Sequence, residues 1–151
     1  MRPVDLFYRI LNVPMQALLQ SPIHGIASRH LCLLTYKGRR SGRSFTTPLS
    51  FVRTGDTVRL LSSNKTKWWK NFLGEPADVG VEIGREQFAG RAKAIIGDSD
   101  RLRDGVRGFL TKLPRDAVVY GIKLDKNKRP LEKDIEGAAG HVVLVEIELD
   151  A

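Results

Sequence analysis

The sequence has a single cysteine, Cys32. That excludes an intramolecular disulfide framework and any multi-cysteine metal site. Cys32 sits in the apolar run Leu31-Cys32-Leu33-Leu34, where a lone thiol behaves as a small buried hydrophobe; a reducing, cytosolic setting is compatible with it. No apolar stretch approaches the ~20 residues of a membrane-spanning helix. The N-terminal apolar run is broken by Asn12 and Pro14 and is followed by no small-residue cleavage site, so it does not read as a signal peptide. Catalytic signatures are also missing: there is no HExxH, GxSxG, Walker or GxGxxG pattern. His24, His30 and His141 are isolated and read as structural, and no serine has an evident base beside it. If the chain is an enzyme, a cofactor brings the reactive group.

Acidic residues are scarce in one half only. Residues 1–75 carry 12 Lys and Arg against 3 Asp and Glu, whereas residues 76–151 carry 13 against 14. The whole net charge of +8 therefore resides in the first half. Such a local excess points to an anionic partner: phosphates, acidic lipid headgroups or nucleic acid. Aromatics are few and not interleaved with the basic residues, as a stacking platform for nucleic acid requires, which disfavours that partner. What remains is globular: 151 residues, 42% hydrophobic and 28% charged, suit one domain spanning 1–151 with a core of its own.

Along the chain, residues 1–28 read as a helical segment. Leu6, Ile10, Leu11, Met15, Leu18 and Leu19 form one apolar face, Pro14 opens a second helix and Ser21-Pro22 ends it. That face either packs on the core or lies on an anionic membrane surface, with Arg2, Arg9 and Arg29 toward the headgroups. A first strand is predicted over His30–Tyr36, a second over Phe45–Arg53 with Pro48 marking an edge or bulge, and a third over Thr57–Ser62 after a Gly55-Asp56 hairpin. Thr66 is predicted to cap a short helix over Lys67–Leu73 that Gly74 stops. Strands over Val79–Ile83 and Gln87–Ile96 follow, Gly90 suggesting a close approach. Asp98 or Ser99 starts the longest helix, with Leu102, Val106, Phe109, Leu110 and Leu113 as its stripe and Pro114 as its stop. Asp116–Tyr120 reads as a further helical turn, residues 123–140 as a mobile surface loop, and His141–Leu149 as a closing strand. The resulting class is α+β and mainly β, a small antiparallel barrel with helices packed outside.

The candidate chemistry lies in Lys37-Gly38-Arg39-Arg40-Ser41-Gly42-Arg43, which holds four cations, one hydroxyl and two glycines. Glycines let backbone N–H groups turn toward an anion, and arginines add charge-assisted bonds. By charge alone the loop is equally a solvated hairpin tip. Trp68 and Trp69 point to different faces of their helix, so one belongs to the core and the other can wall a pocket.

Leu33-Leu34-Thr35-Tyr36-Lys37-Gly38-Arg39-Arg40-Ser41-Gly42-Arg43 with Thr46-Thr47-Pro48-Leu49 resembles the signature of the deazaflavin-dependent nitroreductase family. Lys67-Trp68-Trp69-Lys70-Asn71-Phe72 with Glu75-Pro76 is similar to that family's second block, and Ala17–His24 to its lead-in. The resemblance implies a split β-barrel of the FMN-binding-like type. It implies the 8-hydroxy-5-deazaflavin coenzyme F420 as hydride carrier, with FMN as the alternative. It implies that Lys37, Arg39, Arg40, Ser41, Gly42 and Arg43 bind the coenzyme's anionic tail. Pro48, Leu49 and Ser50 would lie against the ring, Ser62, Ser63 and Asn64 would form the rim, and Trp69 and Asn71 would flank the pocket. Tyr120 is the C-terminal tyrosine that would act near the acceptor as proton donor. Two features depart from the pattern: the connection Asn64-Lys65-Thr66-Lys67 is short, and Asn64 stands where relatives often have lysine.

The expected function is hydride transfer between the reduced deazaflavin and an electron-poor acceptor, whether quinone, activated alkene or nitro compound. The alternative is a non-catalytic protein of the same fold that holds a lipid or fatty acid or sequesters a flavin-type cofactor. A homodimer and a cytoplasmic location, peripheral on the inner face of the cell membrane, complete the expectation.

Overall fold

The computed structural model describes residues 31–150. The expectations on the N-terminal helices, on Arg2, Arg9 and Arg29, and on His24 and His30 lie outside the described residues. Seven strands are present among the described residues: β1 (Leu31–Lys37), β2 (Ser44–Ser50), β3 (Val52–Thr54), β4 (Thr57–Ser63), β5 (Ala77–Ile83), β6 (Glu86–Ile95) and β7 (Val142–Leu149). A 3-10 helix, Trp68–Phe72, joins β4 to β5. Between β6 and β7 come α1 (Asp100–Lys112), a second 3-10 helix (Pro114–Tyr120) and α2 (Glu132–Ala138).

All pairings are antiparallel, in the order β2-β1-β5-β6-β7-β4-β3. The sheet curls into a mainly β half-barrel. Pro48 pairs with Leu33 on β2, at one end of this order, the position a residue without an N–H can occupy. The Gly55-Asp56 hairpin forms between β3 and β4, with Gly55 at φ 62, a conformation that glycine adopts without strain.

The two faces of the sheet bury different layers. Val58 and Leu60 of β4 and Val143, Val145 and Ile147 of β7 join Trp68, Trp69 and Phe72 in the barrel interior. Leu61, Val142 and Leu144, one residue out of step, pack with Leu102, Val106, Phe109 and Leu110 of α1. β7 is apolar nearly throughout because both of its faces are covered. Gly105 permits this approach of helix to strand, since a Cβ there would lie 2.3 Å from Leu144 Cδ2. Gly90 does the same on β6, where a Cβ would meet the Glu148 carbonyl oxygen at 2.7 Å. Ser99 caps α1 by accepting from the Leu102 amide at 3.1 Å, as the spacing predicts. Cys32 is fully buried, and desolvation pushes its thiol up to about 12; it is a core hydrophobe.

Three expectations need correction. The strand over Phe45–Arg53 is two strands, because the chain changes partner at Phe51: β2 pairs with β1 and β3 with β4, at opposite ends of the sheet order. The helix over Lys67–Leu73 is a five-residue 3-10 turn with Lys67 at its N-cap, and Thr66 does not cap it. Residues 123–140 hold α2 and the paired residues Leu124 and Pro130 in place of an irregular loop. Ile135, Ala138 and Ala139 are buried against α1's layer, and Asp125 Oδ1 accepts from the amides of Asn127 and Arg129 at 2.8 and 3.0 Å. The high charge of this segment hides a three-residue apolar stripe. No helix among the described residues is long and apolar enough to cross a membrane.

Candidate functional site

The β1–β2 hairpin carries the basic loop at its tip. Two backbone bonds close it: the Gly38 amide donates to the Arg43 carbonyl at 2.8 Å, and the Gly42 amide to the Gly38 carbonyl at 2.9 Å. The Arg43 amide donates to Ser41 Oγ at 3.2 Å. Gly42 has φ 68, and a Cβ at Gly38 would fall 2.7 Å from Ser41 Oγ and 2.9 Å from Phe45 Cε2. Both glycines are therefore required by this turn. Lys37, Arg40 and Arg43 are exposed, and none of their side chains has an ion-pair or hydrogen-bond partner among the described residues. The amides of Arg40 and Ser41 likewise find no acceptor among the described residues. Three cations and two open N–H groups thus project from one closed turn, the arrangement that receives an oxyanion.

Arg39 differs from the other loop cations. Its amide donates to Asn71 Oδ1 at 2.8 Å, and its guanidinium donates to the carbonyls of Lys70 and Leu73 at 3.2 and 3.1 Å. Asn71 Nδ2 in turn donates to the Trp68 carbonyl at 2.8 Å. The loop is thereby fastened to the Trp-rich 3-10 helix. Beneath these bonds the same two elements meet through aromatic rings, Tyr36 lying 5.7 Å from Phe45 and 5.5 Å from Phe72.

Both tryptophans are buried. They differ in their N–H groups. Trp68 Nε1 donates to Ser62 Oγ at 3.1 Å, whereas Trp69 Nε1 is buried with no partner among the described residues. A buried donor without an acceptor costs about 1–3 kcal/mol. Lys70 Nζ stands 5.8 Å from the Trp69 ring centroid.

The remaining expected residues divide. Leu49 faces the barrel core, so Pro48 and Ser50, adjacent on a strand of period two, face the other way. The Ser62 hydroxyl lies 2.6 Å from Thr66 Oγ1, which donates to the Ser63 carbonyl at 2.9 Å. Ser63 Oγ accepts from the Lys65 amide at 3.2 Å. Asn64 is tied to the start of β7, its amide donating to the His141 carbonyl at 2.9 Å and Nδ2 to the Gly140 carbonyl at 3.3 Å. Tyr120 packs in the α1 layer, on the face of the sheet opposite the tryptophans, and burial raises its phenol pKa above the ordinary tyrosine range. It is not brought to the loop. Sequence reasoning missed Thr66 as a rim tie and Phe45 as a loop support; the four-residue spacing of Ser62 and Thr66 was the available signal for the first. A cleft of about 450 Å³ lined by Arg59, Arg101, Asp104, Gly105 and Glu146 lies on the α1 side instead. There Glu146 is held by Arg59 at 3.1 Å and Arg101 at 2.8 Å, so the charges in it answer one another.

Residues 2–119 match the sequence model of the F420H2-dependent quinone reductase family. The chain belongs to this family. It is accordingly an oxidoreductase, and its cofactor is the deazaflavin coenzyme F420. Comparison with curated protein sequences gives no match. Among solved structures, the heme storage protein HutZ from Vibrio cholerae is 14% identical over 82% of this chain and 83% of its own, with a TM-score of 0.52. A FAD-binding protein from Mesorhizobium loti is 13% identical over 81% and 82%, with a TM-score of 0.50. An F420 reductase is 15% identical over 91% and 94%, with a TM-score of 0.42. The fold is the split β-barrel that the sequence resemblance implies.

Proposed function

We propose that this member of the family transfers a hydride from reduced coenzyme F420 to a quinone or a similarly electron-poor acceptor, an activated alkene or nitro compound. The observation that carries the reading is the hairpin tip with Lys37, Arg40 and Arg43 unpaired among the described residues and the Arg40 and Ser41 amides open. The coenzyme's tail presents phosphate and carboxylate oxygens, which is the chemistry such a turn receives. When bound, the reduced deazaflavin supplies a hydride.

The chain's own residues bind, orient and exclude water. The closed turn presents its donors without rearrangement, which favours positioning over covalent chemistry. Leu49, Phe72 and Trp69 form the apolar core beneath the turn, and the Trp69 N–H is buried there without a partner among the described residues. Ser62, Ser63, Thr66 and Asn64 keep the rim in shape through bonds among themselves and to β7. Tyr120 stands outside this set. The lipid-holding alternative is disfavoured because Trp68, Trp69, Phe72, Leu60 and Val145 fill the barrel interior.

Titration of the protein with oxidised coenzyme, followed by ring fluorescence, tests the reading. Saturation by tens of micromolar, roughly 6 kcal/mol of binding, is expected, followed by anaerobic oxidation of the reduced coenzyme on addition of a soluble quinone. Absence of saturation in that range overturns it.

A further inference from the structure

Four cations stand in the basic loop, and the family resemblance implies the same role for all of them. The geometry points to a different role for Arg39: it is a positioning residue that locks the anion-binding turn to the tryptophan helix, and it is not a ligand of the bound anion. This inference deepens the function proposed above and rests on that reading for its ligand.

Arg39 lies 31 to 34 residues from every group it contacts. Its backbone amide is taken by Asn71 Oδ1 and two of its guanidinium nitrogens by the Lys70 and Leu73 carbonyls. Those carbonyls lie at the C-terminal end of the 3-10 helix, where the carbonyl dipoles attract a cation. Lys70's carbonyl also receives the Leu73 amide at 3.4 Å, so the guanidinium reinforces the bond that ends the helix. Gly74 follows at φ 80, and a Cβ there would lie 3.9 Å from Arg39 Nη2. The planar fork reaches two carbonyls at once, which a lysine ammonium on a flexible stem does not do from the same backbone position. Asn71 completes the lock by binding the Arg39 amide on one side and the Trp68 carbonyl on the other. Trp69, with its unpartnered N–H, sits inside this lock. An anion seated on Arg40, Arg43 and the open amides therefore stiffens the helix that carries Trp69. Arg39 is the connection through which it does so.

The test compares wild type with R39A, R39K, N71A, R39A/N71A and R40A. Two quantities are read: the dissociation constant for oxidised coenzyme F420, and amide hydrogen exchange over residues 68–73 with and without coenzyme. R40A is expected to weaken binding by roughly tenfold or more, as loss of a charge-assisted bond does, and R39A by less than about threefold. In wild type, coenzyme should slow exchange over 68–73. In R39A and N71A that slowing should be lost, R39K should not restore it, and the double variant should be no worse than either single one, because all three break one lock. A loss of affinity in R39A as large as in R40A, or slowing by coenzyme that survives R39A, overturns the proposal. Failure of wild type to bind coenzyme counts against the proposed function instead. The lock is then judged on free protein: equal, non-additive acceleration of exchange over 68–73 in the single and double variants supports it, and additive acceleration overturns it.

Discussion

Trp68 and Ser62 are joined across the rim of the barrel by a hydrogen bond from the indole N–H to Oγ at 3.1 Å. Ser62 Oγ lies 2.6 Å from Thr66 Oγ1, and Thr66 donates to the Ser63 carbonyl at 2.9 Å. Each proton has one acceptor when the relay runs from Trp68 through Ser62 and Thr66 to that carbonyl. The short connection between β4 and the 3-10 helix is thus closed on itself by side chains, and this lets it remain short.

Ser62→Ala breaks the relay in its middle. It strips the buried Trp68 indole of its acceptor and Thr66 of its donor. A buried donor left unpaired costs about 1–3 kcal/mol, so chemical denaturation should show a lower midpoint with an unchanged slope. A stability equal to wild type would mean that water replaces the hydroxyl at no loss.

Two glycines of α1 separate packing from propensity. Gly105→Ala places a methyl group 2.3 Å from Leu144 Cδ2, and overpacking of this kind costs about 1–3 kcal/mol. Gly108, three residues on, has no atom within 4 Å of the position its Cβ would take. Gly108→Ala should stabilise by about 0.5–1 kcal/mol, since alanine loses less backbone freedom in a helix. Thermal melts of the two variants should move in opposite directions.

These residues also mark how far the sequence alone reaches. β7, β4 and α1 were legible because their apolar residues recur at the period of the element and Ser99 and Pro114 bound the helix. Gly90 was legible as a close approach because a glycine inside a strand has few other uses. The break at Phe51 was not, since an apolar residue between two β-like runs reads as continuation until the curl of the sheet decides which strand each run pairs with. α2 was hidden by Lys126, Lys128, Arg129 and Lys133 around its short stripe. At the site, the loop's charge and its turn were visible in its residue types. The lock of Arg39 was not, because two of its acceptors are backbone carbonyls, which no residue type announces, and they lie more than thirty positions away.

The Arg107–Glu132 pair fastens α2 to α1, with two bonds at 2.6 and 2.8 Å. Arg107 holds the Glu132 carboxyl below its ordinary range. A carboxylate depressed in the folded state contributes stability above its unfolded pKa, and that contribution is lost as pH falls through the folded value. Glu132 is largely exposed, so screening limits the effect to ~0.2–1 kcal/mol. Glu132→Gln should therefore be slightly less stable than wild type at neutral pH and low salt. The difference should vanish in acid below the carboxylate range, and also in high salt. Urea melts across pH check the sign; a gap that widens toward acid would contradict it.

Arg40 and Arg43 should affect ligand and not fold. Neither side chain has a hydrogen-bond or ion-pair partner among the described residues, so the double variant R40A/R43A should melt within ~0.5 kcal/mol of wild type, as surface changes do. Each arginine that meets a phosphate or carboxylate oxygen contributes about 1.5–3 kcal/mol through a charge-assisted bond. Removing both should weaken binding of oxidised coenzyme by at least roughly a hundredfold at low salt. Because the turn is exposed, its attraction for an anion is screened by salt. Wild-type affinity should therefore fall as salt rises, and the double variant's much less steeply. Titrations at low and moderate salt measure both quantities together. Unchanged affinity with unchanged salt dependence would move the anion grip to other residues, while weaker binding with the full salt dependence intact would leave Lys37 and cations beyond the loop as the source of the attraction.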